Sequence, residues 1–413
     1  MSVSIDRKLY RIVHLTSAHG ASDVRIFHKE CRSLARAGYE VIALGNHACN
    51  DIVDGVRLRG LGRSSGRIHR MTVKLLGLCR EAFRAAGDVY HIHDPELLII
   101  GLFLRAAGKR VVYDIHEDLP RTVLFKAYLP KPVRKPLLWI LEHAENAAAE
   151  RMSGLVAATP ALGDRFRVIH GNTIVVNNFV IVDEFTSSTC VDWKRRDPAV
   201  TYFGGISEER GIREMLTAMD LLPTTLGAKL ELGGWFYEQA LQSDLVATPQ
   251  WRHVNWHGEL DRNGIVSLLS RVRAGLVVLH PDKAYVASQP TKLYEYMAAG
   301  IPVIASDFPL WRSIIEDAGC GLVVNPFDTR AIAAAIERLI TDDSEAQSMG
   351  QRGRKAVEES LNWANEEQTL LSFYSSLLPQ SYGPGTSAMG GVAITAQPRY
   401  RRAPARRNPG STL

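Results

Sequence analysis

One stretch of the chain, residues 289–307 (QPTKLYEYMAAGIPVIASD), combines residue types that suit the binding of a phosphorylated ligand. Pro290 favours a helix that starts there, and the free N–H groups and dipole of a helix start attract anionic phosphate. Lys292 adds a positive charge beside that end, and Glu295, one turn further on, is placed to accept hydrogen bonds from ribose hydroxyls. The same letters also fit an ordinary helix, so residue types alone leave both interpretations open.

Further candidates follow predicted strands in the first half of the chain. His93 ends a predicted strand at 89–93, and His116 follows one at 110–115. The carboxyl ends of parallel strands line ligand clefts, so both side chains are expected there. Gly20 lies in the turn after the first predicted strand, where a bare backbone permits close approach of a substrate or phosphate. A histidine at such a place is more often a satisfied polar residue, and Gly20 alone fits a flexible loop equally well.

Several kinds of site are excluded by what the sequence lacks. It contains no D-x-D and no histidine pair with metal spacing on one helix, so a metal-dependent site of the D-x-D kind is not expected. The absence of G-x-G-x-x-G argues against a dinucleotide dehydrogenase. The five cysteines are scattered without C-x-x-C, which excludes a disulfide framework and suits a reducing cytoplasm. No apolar run is long enough to cross a bilayer, and residues 1–8 do not resemble an export signal, so a cytoplasmic location is predicted.

Short β-rich runs alternate with helical patterns in two successive series. Strands of the first series are predicted at 10–15, 40–44, 56–61, 89–93, 110–115, 155–158 and 174–176. Those of the second are predicted at 200–203, 229–232, 254–256, 276–279, 303–305 and 322–324. The clearest helices are predicted at 27–37, 95–107, 137–152, 211–222, 291–299, 310–317 and 331–340. Apolar strands between amphipathic helices predict an α/β fold with two doubly wound Rossmann-like domains that face a cleft.

An ordered series of motifs resembles that of the retaining glycosyltransferases of family 4, which have the two-domain GT-B fold. The resemblance spans about residues 1–378 and rests on 289–307 together with 23–30, 38–41, 90–94, 113–117, 202–205, 210–211, 321–326 and 362–363. The organisation expected is an acceptor-side domain at 1–178, a linker at 179–198, a nucleotide-sugar-binding domain at 199–360, and a helix at 361–380 that crosses back to the first domain.

The resemblance implies an enzyme that moves a sugar from a nucleotide-diphosphate donor to a glycan or lipid-linked acceptor, in polysaccharide or glycoconjugate synthesis. No metal and no cofactor are expected, since the sequence lacks D-x-D. The catalytic residues expected are His116, near the transferred sugar, and His93. Eight residues are expected to bind the donor: Gly20, Gly205, Arg210, Pro290, Thr291, Lys292, Leu293 and Glu295.

Two positions depart from the family pattern. Ala287 stands where the family often has a first glutamate, eight positions before Glu295, and Gly205 stands where it usually has an arginine. One expected acid and one expected cation are therefore missing. Two alternatives stay open: a sugar-nucleotide epimerase on the same fold, and a nucleotide-sugar-binding protein without turnover.

Charge is distributed unevenly. The stretch 381–413 holds five arginines and no Lys, Asp or Glu, and the rest of the chain carries 44 basic and 44 acidic residues. That stretch is predicted to be a disordered basic tail, and no nucleic-acid partner is expected. Residues 57–84 carry eight Lys or Arg against one acid, and residues 121–135 carry five and none, followed by an apolar run at 137–141. This pattern suits an anionic membrane surface and fits a solvated face over a core helix about equally well.

Overall fold

The first half of the chain forms an eight-stranded sheet in the order β3-β4-β2-β1-β5-β6-β7-β8. The computed structural model describes residues 9–20, 23–46, 50–62, 74–118, 131–189 and 192–379. Neighbouring strands are parallel, apart from the antiparallel edge pair β3–β4. The strands are β1 (Arg11–Gly20), β2 (Glu40–Asn46), β3 (Asp51–Val53), β4 (Val56–Gly60), β5 (Val89–Ile92), β6 (Arg110–Ile115), β7 (Gly154–Ala157) and β8 (Thr173–Val175).

Helices cover both faces of this sheet, which explains why its central strands are buried on both sides. A π-helix at Val24–Cys31 runs directly into α1. The α-helices of this half are α1 (Arg32–Arg36), α2 (Leu75–Ala85), α3 (Leu98–Ala106), α4 (Lys131–Ala149) and α5 (Pro160–Arg167).

The second half forms a fully parallel six-stranded sheet in the order β11-β10-β9-β12-β13-β14. Its strands are β9 (Ala199–Phe203), β10 (Lys229–Gly233), β11 (Val254–Trp256), β12 (Ala274–Val277), β13 (Val303–Ser306) and β14 (Gly321–Val324). The helices that follow the first half are α6 (Thr186–Thr189), α7 (Ile212–Asp220), α8 (Gln239–Val246), α9 (Arg262–Leu269), α10 (Lys283–Val286), α11 (Thr291–Ala298), α12 (Pro309–Ala318), α13 (Thr329–Thr341), α14 (Asp343–Glu359) and α15 (Trp363–Leu377).

The last helix, α15, returns to the first domain. Its aromatic residues Trp363, Phe373 and Tyr374 are buried in the core of that domain, and the Trp363 indole N–H donates to the Ser33 hydroxyl at 3.0 Å. Near the end of β8, the Asn177 backbone N–H donates to the Glu366 carboxylate of α15. The fold predicted from the sequence, two Rossmann-like domains with a crossover helix, is confirmed.

Several elements differ from their predicted form. β3 and α14 were not predicted, and the helix predicted at 27–37 begins earlier, as a π-helix whose first N–H groups are capped by Asp23. The helix predicted at 137–152 begins at Lys131 and contains Pro136, because packing against α3 overrides the weak helix propensity of proline. The predicted tail and much of both basic segments, at 63–73 and 119–130, lie outside the described residues. In the portion that is described, no helix combines the length and apolar character needed to span a bilayer.

Candidate active site

The strand order reverses at one point in each sheet, between β1 and β5 in the first and between β9 and β12 in the second. In doubly wound sheets, ligands bind outside the carboxyl ends of the strands at such a reversal. The first of these edges carries His19 and Gly20, at the end of β1, and His93, just after β5. The second carries Gly204 and Gly205, just after β9. The candidate site is therefore built from these two edges.

Two cations beside the second edge have no negative partner. Lys292, in the first turn of α11, forms neither an ion pair nor a hydrogen bond with the described residues, and its Nζ lies 5.1 Å from the centre of the Tyr202 ring. Arg210 forms no ion pair in the same part of the chain, and its hydrogen bonds go to neutral groups, the Tyr202 hydroxyl and, from Nη1 at 3.5 Å, the Gly205 carbonyl oxygen. Its Nε is buried without a hydrogen-bond partner. Two neighbouring cations without acidic partners among the described residues suit the binding of a polyanion.

The electrostatics of Lys292 suit the binding of an anion. Burial, together with the neighbouring Arg210 charge, lowers the pKa of the Lys292 ammonium group to about 8. An anion bound between the two cations would raise this pKa again, since it favours the charged form. A bound phosphate would therefore stabilise the charged form of Lys292, which burial disfavours in the free protein.

The start of α11 adds backbone donors to the same region. Pro290 precedes the helix with φ −68°, and no side chain caps the helix end. Thr291 borders a cavity at the junction of the domains. The Leu293 side chain is fully buried in the second core, and its N–H donates to the Pro290 carbonyl oxygen at 3.1 Å. Among these predicted donor-binding residues, Leu293 therefore serves mainly to fix the helix.

Glu295 is buried and already engaged. Its Oε1 accepts a hydrogen bond from Arg262, which also pairs with the Glu184 carboxylate at 2.6 Å. Its Oε2 has no hydrogen-bond partner in the described part of the chain and remains available to a ribose hydroxyl. Glu295 borders the junction cavity of about 120 Å³, which Lys29 and Asn178 also line. Sequence reasoning missed Arg262 because nothing near it resembles a motif.

The two predicted catalytic histidines occupy different positions. The His116 side chain is 19% exposed, and its Nε2 lies 2.6 Å from Asp114 Oδ2. His93 is buried, with Nδ1 3.1 Å from the same oxygen and Nε2 2.9 Å from His14 Nδ1. Burial lowers the pKa of His93 to about 3, so its ring is neutral. Only His116 reaches the cleft, and His93 lies behind Asp114.

Asp114 is held as a carboxylate by Arg25. The Arg25 guanidinium donates to both Asp114 oxygens, at 3.0 and 2.8 Å. Burial alone would raise the pKa of Asp114, but the Arg25 charge holds it well below its usual range. A carboxylate fixed in this way orients the His116 ring. Sequence reasoning did not single out Arg25 or Asp114, because strands and the π-helix bring them together from distant positions.

His19 was also missed, although it directly precedes Gly20. Its Nδ1 lies 3.0 Å from Asp23 Oδ2 and its Nε2 lies 3.5 Å from Asp94 Oδ1. The hydrogen bond with Asp23 raises the pKa of His19 above its ordinary value. The His19 and His116 rings lie 5.5 Å apart, centre to centre. Among the described residues, no atom would lie within 4 Å of a Cβ atom placed on Gly20, so they leave space at this position.

Possible metal ligands lie behind this edge. Two groups place ligand atoms within 4.8 Å of one another: His14, Glu30, His91 and His93, and His93, Asp114 and His116. The His91 and His93 rings stack with centres 4.6 Å apart, an arrangement in which their in-plane lone pairs converge poorly on one ion. Glu30 also faces Arg25 Nε at 3.2 Å. The geometry favours a hydrogen-bonded network, and a metal-free site stays a prediction.

Each domain matches a known sequence family. Residues 24–177 match the glycosyl transferase 4-like domain, and residues 190–356 match glycosyl transferases group 1. The two matches together cover most of the chain and include nearly all of both sheets. The chain is a glycosyltransferase of family 4. The resemblance seen in the sequence and the prediction of a glycosyltransferase enzyme are confirmed.

Known relatives of this glycosyltransferase are distant. A phosphatidyl-myo-inositol mannosyltransferase of Mycobacterium leprae is 24% identical over 298 residues, which cover 70% of this chain and 74% of that protein. The sucrose-phosphate synthase of Thermosynechococcus elongatus superposes with a TM-score of 0.69 at 17% identity, over 89% of this chain and 99% of that one. Anabaena HepE in complex with UDP-glucose gives a TM-score of 0.65 at 15% identity, over 89% and 99%. At this identity the solved structures show the shared fold alone.

Proposed function

We propose that this glycosyltransferase moves a sugar from a nucleotide-diphosphate donor to a glycan or lipid-linked acceptor, with retention at the anomeric carbon. The observation that carries the proposal is a pair of neighbouring cations without an acidic partner among the described residues: Lys292, at the start of α11, and Arg210, in the segment between β9 and α7. A diphosphate supplies the negative charge that this pair lacks. Retention is supported by membership of family 4, whose enzymes the sequence resembles.

The cations act most strongly when the donor bond breaks. As the anomeric carbon separates from the diphosphate oxygen, negative charge grows on that oxygen and the sugar becomes oxocarbenium-like. Lys292, Arg210 and the N–H groups at the helix start are fixed before the reaction, so they stabilise this charge without reorganising. The acceptor oxygen then forms the new bond to the anomeric carbon on the face from which the nucleoside diphosphate departs, and its proton passes to the departing phosphate oxygen.

His116 is proposed to orient the transferred sugar or the acceptor. Its Nε2 is bound to Asp114, so a proton on Nε2 stays between them and Nδ1 faces outward as an acceptor. An outward acceptor suits a hydroxyl of the sugar. On this view His93 contributes indirectly, by helping to fix Asp114. Glu295, through Oε2, is proposed to bind the ribose, and Gly20 to allow close approach of the donor.

A panel of donors tests the reaction. The M. leprae relative is named as a mannosyltransferase and the Anabaena protein was solved with UDP-glucose, which supports a hexose carried on a nucleoside diphosphate. The protein is incubated with UDP- and GDP-linked hexoses and a saccharide acceptor, and nucleotide release and the anomeric configuration of the product are followed by NMR. Transfer with retention supports the proposal. An epimerised donor, or binding without turnover, would instead identify one of the two alternatives left open by Ala287 and Gly205.

The acceptor side is proposed to contact an anionic membrane surface at the cytoplasmic face. Helices α3 and α4 pack against each other and expose large apolar side chains to solvent: Ile99, Phe103, Val133, Trp139 and Ile140. Trp139 is 61% exposed, and Lys135 lies on the exposed surface of the same helix. Apolar and basic side chains on one amphipathic helix suit an acidic leaflet, where lipid-linked acceptors reside.

Vesicle binding tests this surface. The full chain and a chain ending at Gln380 are sedimented with vesicles that contain acidic phospholipid and with neutral ones. The proposal expects both chains to bind only the acidic vesicles, and substitution of Lys131, Arg134 and Lys135 by glutamate to release the shorter chain. If removal of the tail alone abolishes binding, the tail is the membrane-seeking element and the proposal fails.

A further inference from the structure

The loop after β10 places an aromatic ring against the bare backbone of Gly205. A Cβ atom built on Gly205 would lie 2.5–2.7 Å from three atoms at the tip of the Tyr237 ring. Gly205 is not among the glycines with a positive φ, so its backbone conformation is open to any residue. The ring of Tyr237, rather than the backbone, is what requires glycine at this position.

The same ring contacts the cation that has no acidic partner. The centre of the Arg210 guanidinium lies 5.6 Å from the Tyr237 ring and 5.8 Å from the Tyr285 ring. Both distances are within the range of attractive cation–aromatic contacts. The Arg210 guanidinium also hydrogen-bonds with the Tyr202 hydroxyl and with the Gly205 carbonyl oxygen, which the Tyr202 hydroxyl itself binds at 2.7 Å. Two aromatic rings, one hydroxyl group and one carbonyl group therefore set the direction of the guanidinium.

We infer that Tyr237 is a positioning residue of the donor-phosphate site: its ring, seated on Gly205, holds the Arg210 guanidinium in place for the diphosphate. The inference rests on the proposed function, which assigns the diphosphate to Arg210 and Lys292. An acidic partner would fix Arg210 equally well, but it would neutralise the charge that the phosphate needs. An aromatic ring fixes the guanidinium and leaves that charge available.

Calorimetric titration with UDP and GDP tests the role of the ring, with uridine and guanosine as ligands that lack phosphate. Tyr237→Ala is expected to weaken binding of the preferred nucleoside diphosphate about threefold to thirtyfold, the range of a cation–aromatic contact, and to leave the nucleoside unaffected. Tyr237→Phe keeps the ring and is expected to bind like the wild type. The Tyr237 side chain is 57% exposed, so its truncation leaves the core intact.

Gly205→Ala probes the same contact without touching Tyr237. The added methyl group pushes the exposed ring tip away from Arg210, so this variant is expected to match Tyr237→Ala. In the double variant the methyl group has no ring to displace, and binding is expected to be no weaker than in either single variant. Gly171→Ala is the matched control, since no atom lies within 4 Å of a Cβ built there.

The outcomes for these variants distinguish a failure of the role inferred for Tyr237 from a failure of the proposed phosphate site. Wild-type affinity in Tyr237→Ala, an equal loss for nucleoside and nucleoside diphosphate, or additive losses in the double variant would overturn the role of Tyr237. Arg210→Ala and Lys292→Ala are measured alongside. If neither weakens binding of the nucleoside diphosphate, the proposed phosphate site itself is wrong. If both weaken it and Tyr237→Ala does not, only the role of Tyr237 is lost.

Discussion

Lys292 is the residue whose removal tests the donor site most directly. Its ammonium group has no acidic partner among the described residues, so Lys292→Ala breaks no internal ion pair. A charge-assisted contact to phosphate contributes about 1.5–3 kcal/mol, so affinity for a nucleoside diphosphate should fall roughly tenfold to 150-fold. The free nucleoside carries no phosphate, and its affinity should not change. Lys292→Arg, which keeps the positive charge, is the matched control.

The pH dependence of nucleoside diphosphate binding provides a second test of the role of Lys292. The pKa of Lys292 in the free protein is about 8, so the side chain is charged at pH 7 and largely neutral at pH 9.5. Affinity of the wild type for a nucleoside diphosphate should therefore fall as the pH rises through this window. Lys292→Ala should lose this part of the pH dependence. Lys292→Arg should keep its affinity at pH 9.5, because arginine stays protonated.

The lowered pKa also predicts that Lys292 destabilises the folded chain at pH 7. Lys292 has a pKa of about 8 in the folded chain against an ordinary value of 10.5, so folding disfavours its charged form. Lys292→Met should therefore raise the melting temperature at pH 7. The gain should shrink as the pH rises from 8 to 10.5, because the wild-type side chain becomes neutral in both states.

Calorimetric titration tests the expected loss of phosphate binding, and thermal unfolding of Lys292→Met tests the expected gain in stability. Equal losses for nucleoside and nucleoside diphosphate in Lys292→Ala would show that the substitution disturbs the fold or the base site instead of a phosphate contact. Wild-type affinity that stays constant from pH 7 to 9.5 would contradict the titration of a phosphate-binding lysine.

Three further predictions concern the metal, the histidine and the membrane surface. Transfer should continue unchanged in EDTA, and complete loss that manganese or magnesium restores would refute a metal-independent site. His116→Ala should lower kcat about a hundredfold with little change in the donor KM, since an orienting contact is lost; steady-state kinetics that show only a raised KM would contradict this role. Trp139→Glu should weaken sedimentation with acidic vesicles, whereas Leu221→Glu, at an exposed apolar residue of the other domain, should not.

The fold followed from the sequence because its signals are local. Runs such as the one that forms β7 are apolar throughout, and the structure buries every residue of that strand. Proline at position 290 marked the start of α11, and the helix begins at the next residue. Element order, parallel sheets and the crossover helix all follow from such signals together with the resemblance.

The site was harder to predict because its partners are brought together by packing. Asp114, in β6, meets Arg25, in the π-helix, across 89 positions of the chain, and no spacing in the sequence shows this contact. Glu295 was expected to be free for ribose, yet Arg262 from another helix holds one of its oxygens. Tyr237 and Gly205 lie in the loops that follow two neighbouring strands, β10 and β9, and they meet only in the folded chain. In each case the sequence identified one partner or neither.

The charged side chains at the first edge of the cleft are paired with opposite charges, whereas Lys292 and Arg210 at the second edge have no acidic partner among the described residues. This difference supports a different role for each edge. At the first edge, charged groups are already paired, since Asp23 and Asp94 flank His19 and Arg25 neutralises Asp114. Paired charges attract a charged ligand only weakly. The first edge therefore suits neutral sugar hydroxyls, which hydrogen bonds can orient. At the second edge, Lys292 and Arg210 remain unpaired and rest on aromatic rings. A dianionic leaving group therefore gains most at the second edge, which supports the proposal that the diphosphate binds beside α11 and the acceptor binds the first domain.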